Sequence, residues 1–415
     1  MLTASVMACA LTAKAQNATP GTSMPATNSM SESDQIKDLQ RRLADLEAKS
    51  ATTGGTNDAS KTLGWLSDNQ ISGFVSASYL HNFNHSLATT GRSFDVNENF
   101  SINKLKLVLQ KPASYSPDKW VGYYRADLIA GQDATLIQSA GPTLGKFGDV
   151  EQLYAGVNIP IGKGLQVDYG KRVTLMGVEV IEETANPNWS EGNQFLLAEN
   201  FTSTGVQLAY QWTDKLDTEV RVNNGWDDVQ DNNKSLSYMG RIGYVFNASA
   251  NIGVVGYGGP EEAGNDHSWR DGVNVVLNYK FNDKLNSYVQ LDYGHEDANP
   301  VLPKPGDAEW YGAGLWLTYD FTDKIELAAR ADYFDDKDGA RTSGAVLSAA
   351  GNAIGVPYPF NTGQKLTSLT LTLNTKPLPN FQFRPEIRWD HSDLAGAFSG
   401  RKNQWTAGFG IAYLF

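Results

Sequence analysis

Residues 404–415 read Gln404-Trp405-Thr406-Ala407-Gly408-Phe409-Gly410-Ile411-Ala412-Tyr413-Leu414-Phe415. Trp405, Ala407, Phe409, Ile411, Tyr413 and Phe415 fall at every second position, with Thr406, Gly408, Gly410 and Ala412 between them, which is the period of a strand with one apolar face. A bare strand edge tipped by Phe invites aggregation in water, whereas a sheet closed on itself in lipid has no edge to expose. The stretch reads as the closing strand of a transmembrane barrel, against the alternative of an edge strand in a large soluble sandwich.

Upstream, alternating segments recur from Ile71 onward, about sixteen in all, each of the length a tilted strand needs to cross a bilayer. The predicted fold class is all-β: a transmembrane antiparallel up-and-down barrel over 71–415, preceded by a short N-terminal coiled-coil helix. Short and long connections take turns. Trp212-Thr213-Asp214-Lys215-Leu216, Phe281-Asn282-Asp283-Lys284-Leu285 and Phe321-Thr322-Asp323-Lys324-Ile325 are one tight turn written three times, which marks the periplasmic side. The long, polar, Gly- and Asp-rich connections then face outward. Aromatics at both strand ends form two girdles, with Trp120, Trp212, Phe281, Phe321 and Phe415 on the turn side and Tyr293, Tyr333 and Trp389 on the loop side.

Alternation also separates lipid from lumen. In 381–390 the outward set is Phe381, Phe383, Ile387 and Trp389, and the inward set is Gln382, Arg384, Glu386, Arg388 and Asp390. A charge facing lipid near the midplane costs about 2–4 kcal/mol, so such a row belongs inside. The same phase places Lys104, Lys106, Arg125, Asp127, Asp168, Arg172, Glu219, Arg221, Arg241, Asp292, Glu326, Arg330 and Asp332 on the pore lining. A barrel of this size is too wide for side chains to fill, so these residues are expected to line water. Residues 173–203 form a long connection carrying Glu179, Glu182, Glu183 and Glu191, the candidate constriction loop. The run Asp335-Asp336-Lys337-Asp338-Gly339 lacks EF-hand spacing. His81, His85, His267, His295 and His391 fall at outer loops or strand tops without ligand spacing, so no metal site is expected.

Net charge of −12 argues against nucleic acid as a partner. Mean hydropathy of −0.38 looks soluble, but a barrel wall averages polar lumen with apolar exterior and defeats that test. The single Cys9 lies in the leader, which excludes a disulfide framework downstream. Met1–Ala15, ending Ala13-Lys14-Ala15, reads as a signal peptide, although no Lys or Arg precedes Lys14. Residues 16–32 read as a flexible spacer and 50–70 as a linker. Between them, in 33–49, Ile36, Leu39, Leu43 and Leu46 repeat at three-four-three spacing, a short periplasmic coiled-coil seam. No Gly-x-Ser-x-Gly, His-Glu-x-x-His, phosphate-loop or dinucleotide fingerprint occurs, so neither an enzyme nor a cofactor is expected.

Asn224-Gly225-Trp226-Asp227, the stretch from Gly170-Lys171-Arg172 to Gly177-Val178-Glu179, and Leu371–Phe415 with Arg384-Pro385-Glu386-Ile387-Arg388-Trp389-Asp390 resemble the OmpL-like family of β-barrel porins. The layout of coiled coil plus barrel is more distantly similar to phosphate-selective porins. The resemblance implies passive diffusion of small hydrophilic solutes or ions across the outer membrane. It also implies contact with lipid and lipopolysaccharide, and recognition of Phe415 by the barrel assembly machinery. A homotrimer is expected, helped by the seam. The competing readings are a structural anchor tethered to the cell wall through the coiled coil, and a barrel hydrolase.

Overall fold

The computed structural model describes residues 68–415 except 87–88, 93, 95–97, 136, 138–143, 146–147, 300–305 and 343–361. The expected leader, spacer, coiled-coil seam and most of the linker lie outside the described residues. Among those described, the first half of the chain forms β1 Gln70–Asn82, β2 Asn99–Lys111, β3 Val121–Ala130, β4 Gly148–Ile159, β5 Leu165–Val173, β6 Thr202–Gln211, β7 Leu216–Asn223 and β8 Ser237–Asn247. The second half forms β9 Ala250–Pro260, β10 Trp269–Lys280, β11 Leu285–Asn299, β12 Gly306–Thr322, β13 Ile325–Asp336, β14 Gln364–Leu378, β15 Phe381–Ser392 and β16 Asn403–Leu414. Each strand neighbours those before and after it in sequence, and β1 joins β16, so the sixteen strands close into an up-and-down barrel.

The seam shows why the last strand ends as it does. Phe74 lies opposite Leu414 and Asn82 opposite Thr406. Gly73 and Phe415 then exchange backbone hydrogen bonds, N to O, of 2.8 and 2.9 Å. A Cβ at Gly73 would run into the Lys106 carbonyl and the Phe415 ring, so glycine is what lets the terminal ring lie there.

The thrice-written turn has a side-chain explanation. Thr213 Oγ1 accepts the Lys215 and Leu216 N–H groups at 3.1 and 3.0 Å, and Asn282 Oδ1 accepts those of Lys284 and Leu285 at 2.8 and 2.9 Å. Thr322 Oγ1 accepts the Lys324 N–H at 3.2 Å. A short polar side chain thus satisfies the turn backbone locally. The aromatic residue just before it packs edge-on against the tyrosine two positions earlier, which shares its face. Ring centroids of Tyr210–Trp212, Tyr244–Phe246, Tyr279–Phe281 and Tyr319–Phe321 lie 4.8, 5.1, 4.8 and 5.1 Å apart. At the opposite rim Tyr293 meets Tyr311 at 5.4 Å and Trp389 meets Trp405 at 6.4 Å. Trp120, Trp212, Phe281, Phe321, Tyr333 and Phe415 are exposed on the protein surface.

The inside–outside phase is clear on β15, where Phe383 and Ile387 are exposed while Arg384, Arg388 and Asp390 are buried. It breaks where a bulge intervenes. The β3–β4 register shifts between Asp127 and Leu128, and on β4 the consecutive residues Glu151 and Gln152 are both buried.

The phase predicts that Ile387→Arg, which puts a charge on the lipid face, lowers refolding yield in lipid vesicles by the equivalent of about 2–4 kcal/mol. Ile387→Val, which keeps the position apolar, should leave the yield close to the parent's. Equal yields for Ile387→Arg and the parent would show that this face does not meet hydrocarbon.

Candidate constriction inside the barrel

The loop joining β5 to β6, residues 174–201, turns inward. Gly177 N donates to Asn274 Oδ1 on β10 at 3.2 Å, and Val178 N to Gln290 Oε1 on β11 at 2.8 Å. Asn188 Nδ2 reaches Thr372 Oγ1 on β14 at 2.7 Å, and Asn193 Nδ2 reaches Asp332 Oδ1 on β13 at 2.6 Å. Trp189 N and Ser190 N both donate to Glu386 Oε2 on β15, at 2.9 and 3.2 Å. A segment bonded to inward side chains of five distant strands lies inside the barrel. Its one helical turn, α1 Asn193–Leu197, buries Phe195, Leu196 and Leu197 with Phe201, Trp310, Phe334 and Leu366.

The wall is cut to fit. A Cβ at Gly410 would enter the Trp189 indole, and one at Gly312 would stand 3.0 Å from Gln194 Cγ. Glycine at these inward positions gives the loop its close approach.

Charge holds it there. Arg330 bonds Glu179 at 2.6 Å, stands 3.1 Å from Asp332, and donates to Thr370 Oγ1 at 2.9 Å and to the Ser190 carbonyl. Lys104 donates to Glu183 at 2.5 Å and to the Ile181 carbonyl at 2.6 Å. Arg384 caps the chain's turn by donating to the carbonyls of Glu183, Asn186 and Pro187. Arg388 donates to the Glu191 carbonyl at 2.6 Å and to Asp390 at 2.7 Å. The Lys106 ammonium sits 3.0 Å from Asp127 and 2.8 Å from Glu151, and also pairs with Glu182. Those three carboxylates could together hold a cation, and the lysine already supplies one.

The expected pore-lining residues therefore fall into two groups. Lys104, Lys106, Asp292, Arg330, Asp332, Arg384, Arg388 and Asp390 point inward and are buried, with the loop over them where open water was expected. Glu386 and Glu326 are half-buried beside the same loop. Along β3–β8, Arg125 chelates Asp127, which Lys106 also pairs, at 2.8 and 2.8 Å, Arg172 pairs with Asp168 at 2.8 Å over the Tyr154 ring, and Arg241 pairs with Asp217 and Glu219. Asp127, Asp168 and Arg241 are buried in these pairs. Arg221 is tied to Gln207 and Ser203. The Arg125 and Arg172 side chains are 29% and 20% exposed against 0% for Arg330, so water reaches this wall.

The loop acids divide likewise. Glu179, Ile181 and Glu183 are buried, while Val178, Val180, Glu182 and Thr184 alternate with them half-buried, so the run into the 3-10 turn Glu183–Ala185 has one sealed and one open face. Glu191 is buried. Sequence reasoning missed Glu151, Asp217, Glu199 and Arg92. Asp217 obeys the same alternation as Glu219 and Arg221 and could have been found. Glu151 is hidden by the bulge. Arg92, which crosses from the β1–β2 loop to Asp390 at 3.2 Å and Thr406 at 2.6 Å, has no sequence signal.

Burial pushes the Glu191 carboxyl well above the usual range, against the pull of Lys104 and with the push of Glu179 and Glu183. Burial and the neighbouring Asp292 do the same to Glu199, whose Oε1 accepts a 2.6 Å bond from Gln290. A carboxyl raised in the seated loop holds its proton longer there than when released. Its stabilising share is fully present below the released value and is lost as pH rises through the seated one.

Protease cleavage within 174–201 of the folded barrel should therefore increase from acid to alkaline pH, and Glu199→Gln should flatten that rise; a pH-independent rate in the parent would refute it. Arg330→Met strands Glu179 and Asp332 and should cost about 3–5 kcal/mol of seating. Cleavage of the loop at neutral pH would report the loss, and unchanged protection would show that the pair does not hold the loop.

The chain matches, over residues 69–415, the family described as "Putative beta-barrel porin-2, OmpL-like". No curated protein matches it. Its barrel is similar to solved structures at low identity, a likeness of fold. OmpT, an outer membrane protein of Vibrio cholerae, superposes with a TM-score of 0.54 at 12% identity, covering 84% of this chain and 97% of that one. An anion-selective porin from Comamonas acidovorans gives 0.56 at 10% identity, covering 84% and 99%. OprB of Pseudomonas putida gives 0.55 at 11% identity, covering 87% and 98%. With a closed sixteen-strand wall, a loop folded into its interior and a family match across the whole barrel, the chain belongs to the OmpL-like β-barrel porins of the outer membrane.

Proposed function

We propose that small hydrophilic solutes or ions cross this outer-membrane porin passively between the open face of the inward loop and the wall of β3–β8. One observation carries the reading. The loop is held by ion pairs to β2 and β13 and by hydrogen bonds to β10, β11, β12, β14 and β15, while Arg125 and Arg172 opposite keep water contact. Half-buried Val178, Val180 and Thr184 with Glu182 form one side of the path, and half-buried Arg125, Arg172 and Glu219 the other. The interior arginines and lysines named above are held by carboxylates, backbone carbonyls or neutral side chains, which supports a channel without catalysis.

Because selection depends on charges at the narrowest ring, reversing the open wall should change it. Planar-bilayer recordings of the parent should show open steps, and Arg125→Glu with Arg172→Glu should move the reversal potential under a salt gradient toward cations severalfold in permeability ratio. A silent bilayer would leave the barrel as an anchor. An unmoved reversal potential would place the path elsewhere in the lumen.

A further inference from the structure

The outer rim of β10–β12 carries a cluster that the channel does not use. On β11, Leu291, Tyr293, His295 and Asp297 alternate with buried Asp292, Gly294 and Glu296, so His295 stands on the outside, one rung above the Tyr293–Tyr311 pair. Asp271 of β10 is its register partner, and Asp271 Oδ1 lies 3.3 Å from His295 Nδ1. The other ring nitrogen, Nε2, stands 3.7 Å from Asp297 Oδ1.

A bulge builds the rest. The β11–β12 register shifts between Glu296 and Asn299, and Ala298 adopts a φ of +47°. Asp307 of β12 joins His295 and Asp297 there, and one donor atom from each of the three lies within 4.8 Å of the others. Both aspartates are aimed by backbone. Trp269 N donates to Asp297 Oδ2 and Ala298 N to Asp307 Oδ1, each at 3.3 Å, which leaves Asp297 Oδ1 and Asp307 Oδ2 for a ligand.

We propose that His295, Asp297 and Asp307 bind one divalent transition-metal ion, with Asp271 as the positioning residue. A carboxylate on Nδ1 holds that nitrogen as the N–H donor and turns the Nε2 lone pair toward the aspartates, the arrangement that orients histidine ligands. Imidazole with two carboxylates suits zinc and its neighbours, whereas calcium and magnesium prefer oxygen alone. Four ligands held about 2.0–2.2 Å from one zinc ion stand about 3.3–3.6 Å apart. His295 Nε2 and Asp297 Oδ1, at 3.7 Å, are almost so placed. The three side chains, at the rim and at most half-buried, need to close by no more than about 1.5 Å. The fourth position is open to water.

The test uses the full chain refolded in detergent, titrated calorimetrically with zinc chloride, with heat-modifiable gel mobility to show that each variant is folded. The parent should bind one zinc equivalent that is lost in His295→Ala and in Asp307→Asn but kept in His81→Ala and His267→Ala. Asp271→Asn should keep the equivalent and weaken it about 10–100-fold. An unchanged equivalent in His295→Ala, or magnesium displacing zinc at equal concentration, would overturn the proposal. Neither outcome bears on conduction, since the site lies outside the wall.

Discussion

Everything in this molecule depends on pairing the backbone where no water can do so. In hydrocarbon an unpaired N–H or C=O costs several kcal/mol, so a sheet at membrane depth has to close. The β1–β16 ladder and the exchange between Gly73 and Phe415 meet that demand. Closure then divides every strand into a lipid side and an interior side. The interior can accept arginines and carboxylates only because the exterior has taken the apolar set.

Inside, a second constraint operates. Taking ions out of water is costly unless each finds a counter-charge and further hydrogen bonds. The inward loop satisfies this by laying Glu179 and Glu183 on Arg330 and Lys104 and its carbonyls on Arg384 and Arg388. These pairs make the loop part of the wall. Charges across the lumen are paired too, but along the wall itself, and Arg125 and Arg172 among them keep contact with water. One set of residue types therefore does two jobs, fastening on one side and facing solute on the other.

The barrel was readable because its signal is local: alternation, the repeated Thr/Asn-Asp-Lys turn and the aromatics beside it each involve residues a few positions apart. The lumenal phase was readable for the same reason, and Arg384, Arg388 and Asp390 do point inward. What covers them was not. Arg330 meets Ser190 across 140 positions, and Arg384 meets Pro187 across 197. No periodicity encodes such pairs. The glutamates of 173–203 marked a candidate constriction but not their partners, and the fold pairs Glu179 with Arg330, Glu183 with Lys104 and Glu182 with Lys106, leaving Glu182 half-buried. Glu151 escaped notice because a one-residue bulge shifts β4 out of its own pattern. The same physics hid the His295 cluster, whose members come from three strands and a second bulge.

The order in which contacts can form follows from where the loop is fastened. It leaves the chain after β5, yet the side chains that hold it belong to β10, β11, β13, β14 and β15. Contacts this far apart in sequence carry a loop-closure cost that is recovered only late in folding. The loop cannot seat until most of the C-terminal half has joined the wall. A nascent barrel thus passes through a stage that is wider and leakier than the finished one, and narrowing the bore is among its last acts of folding.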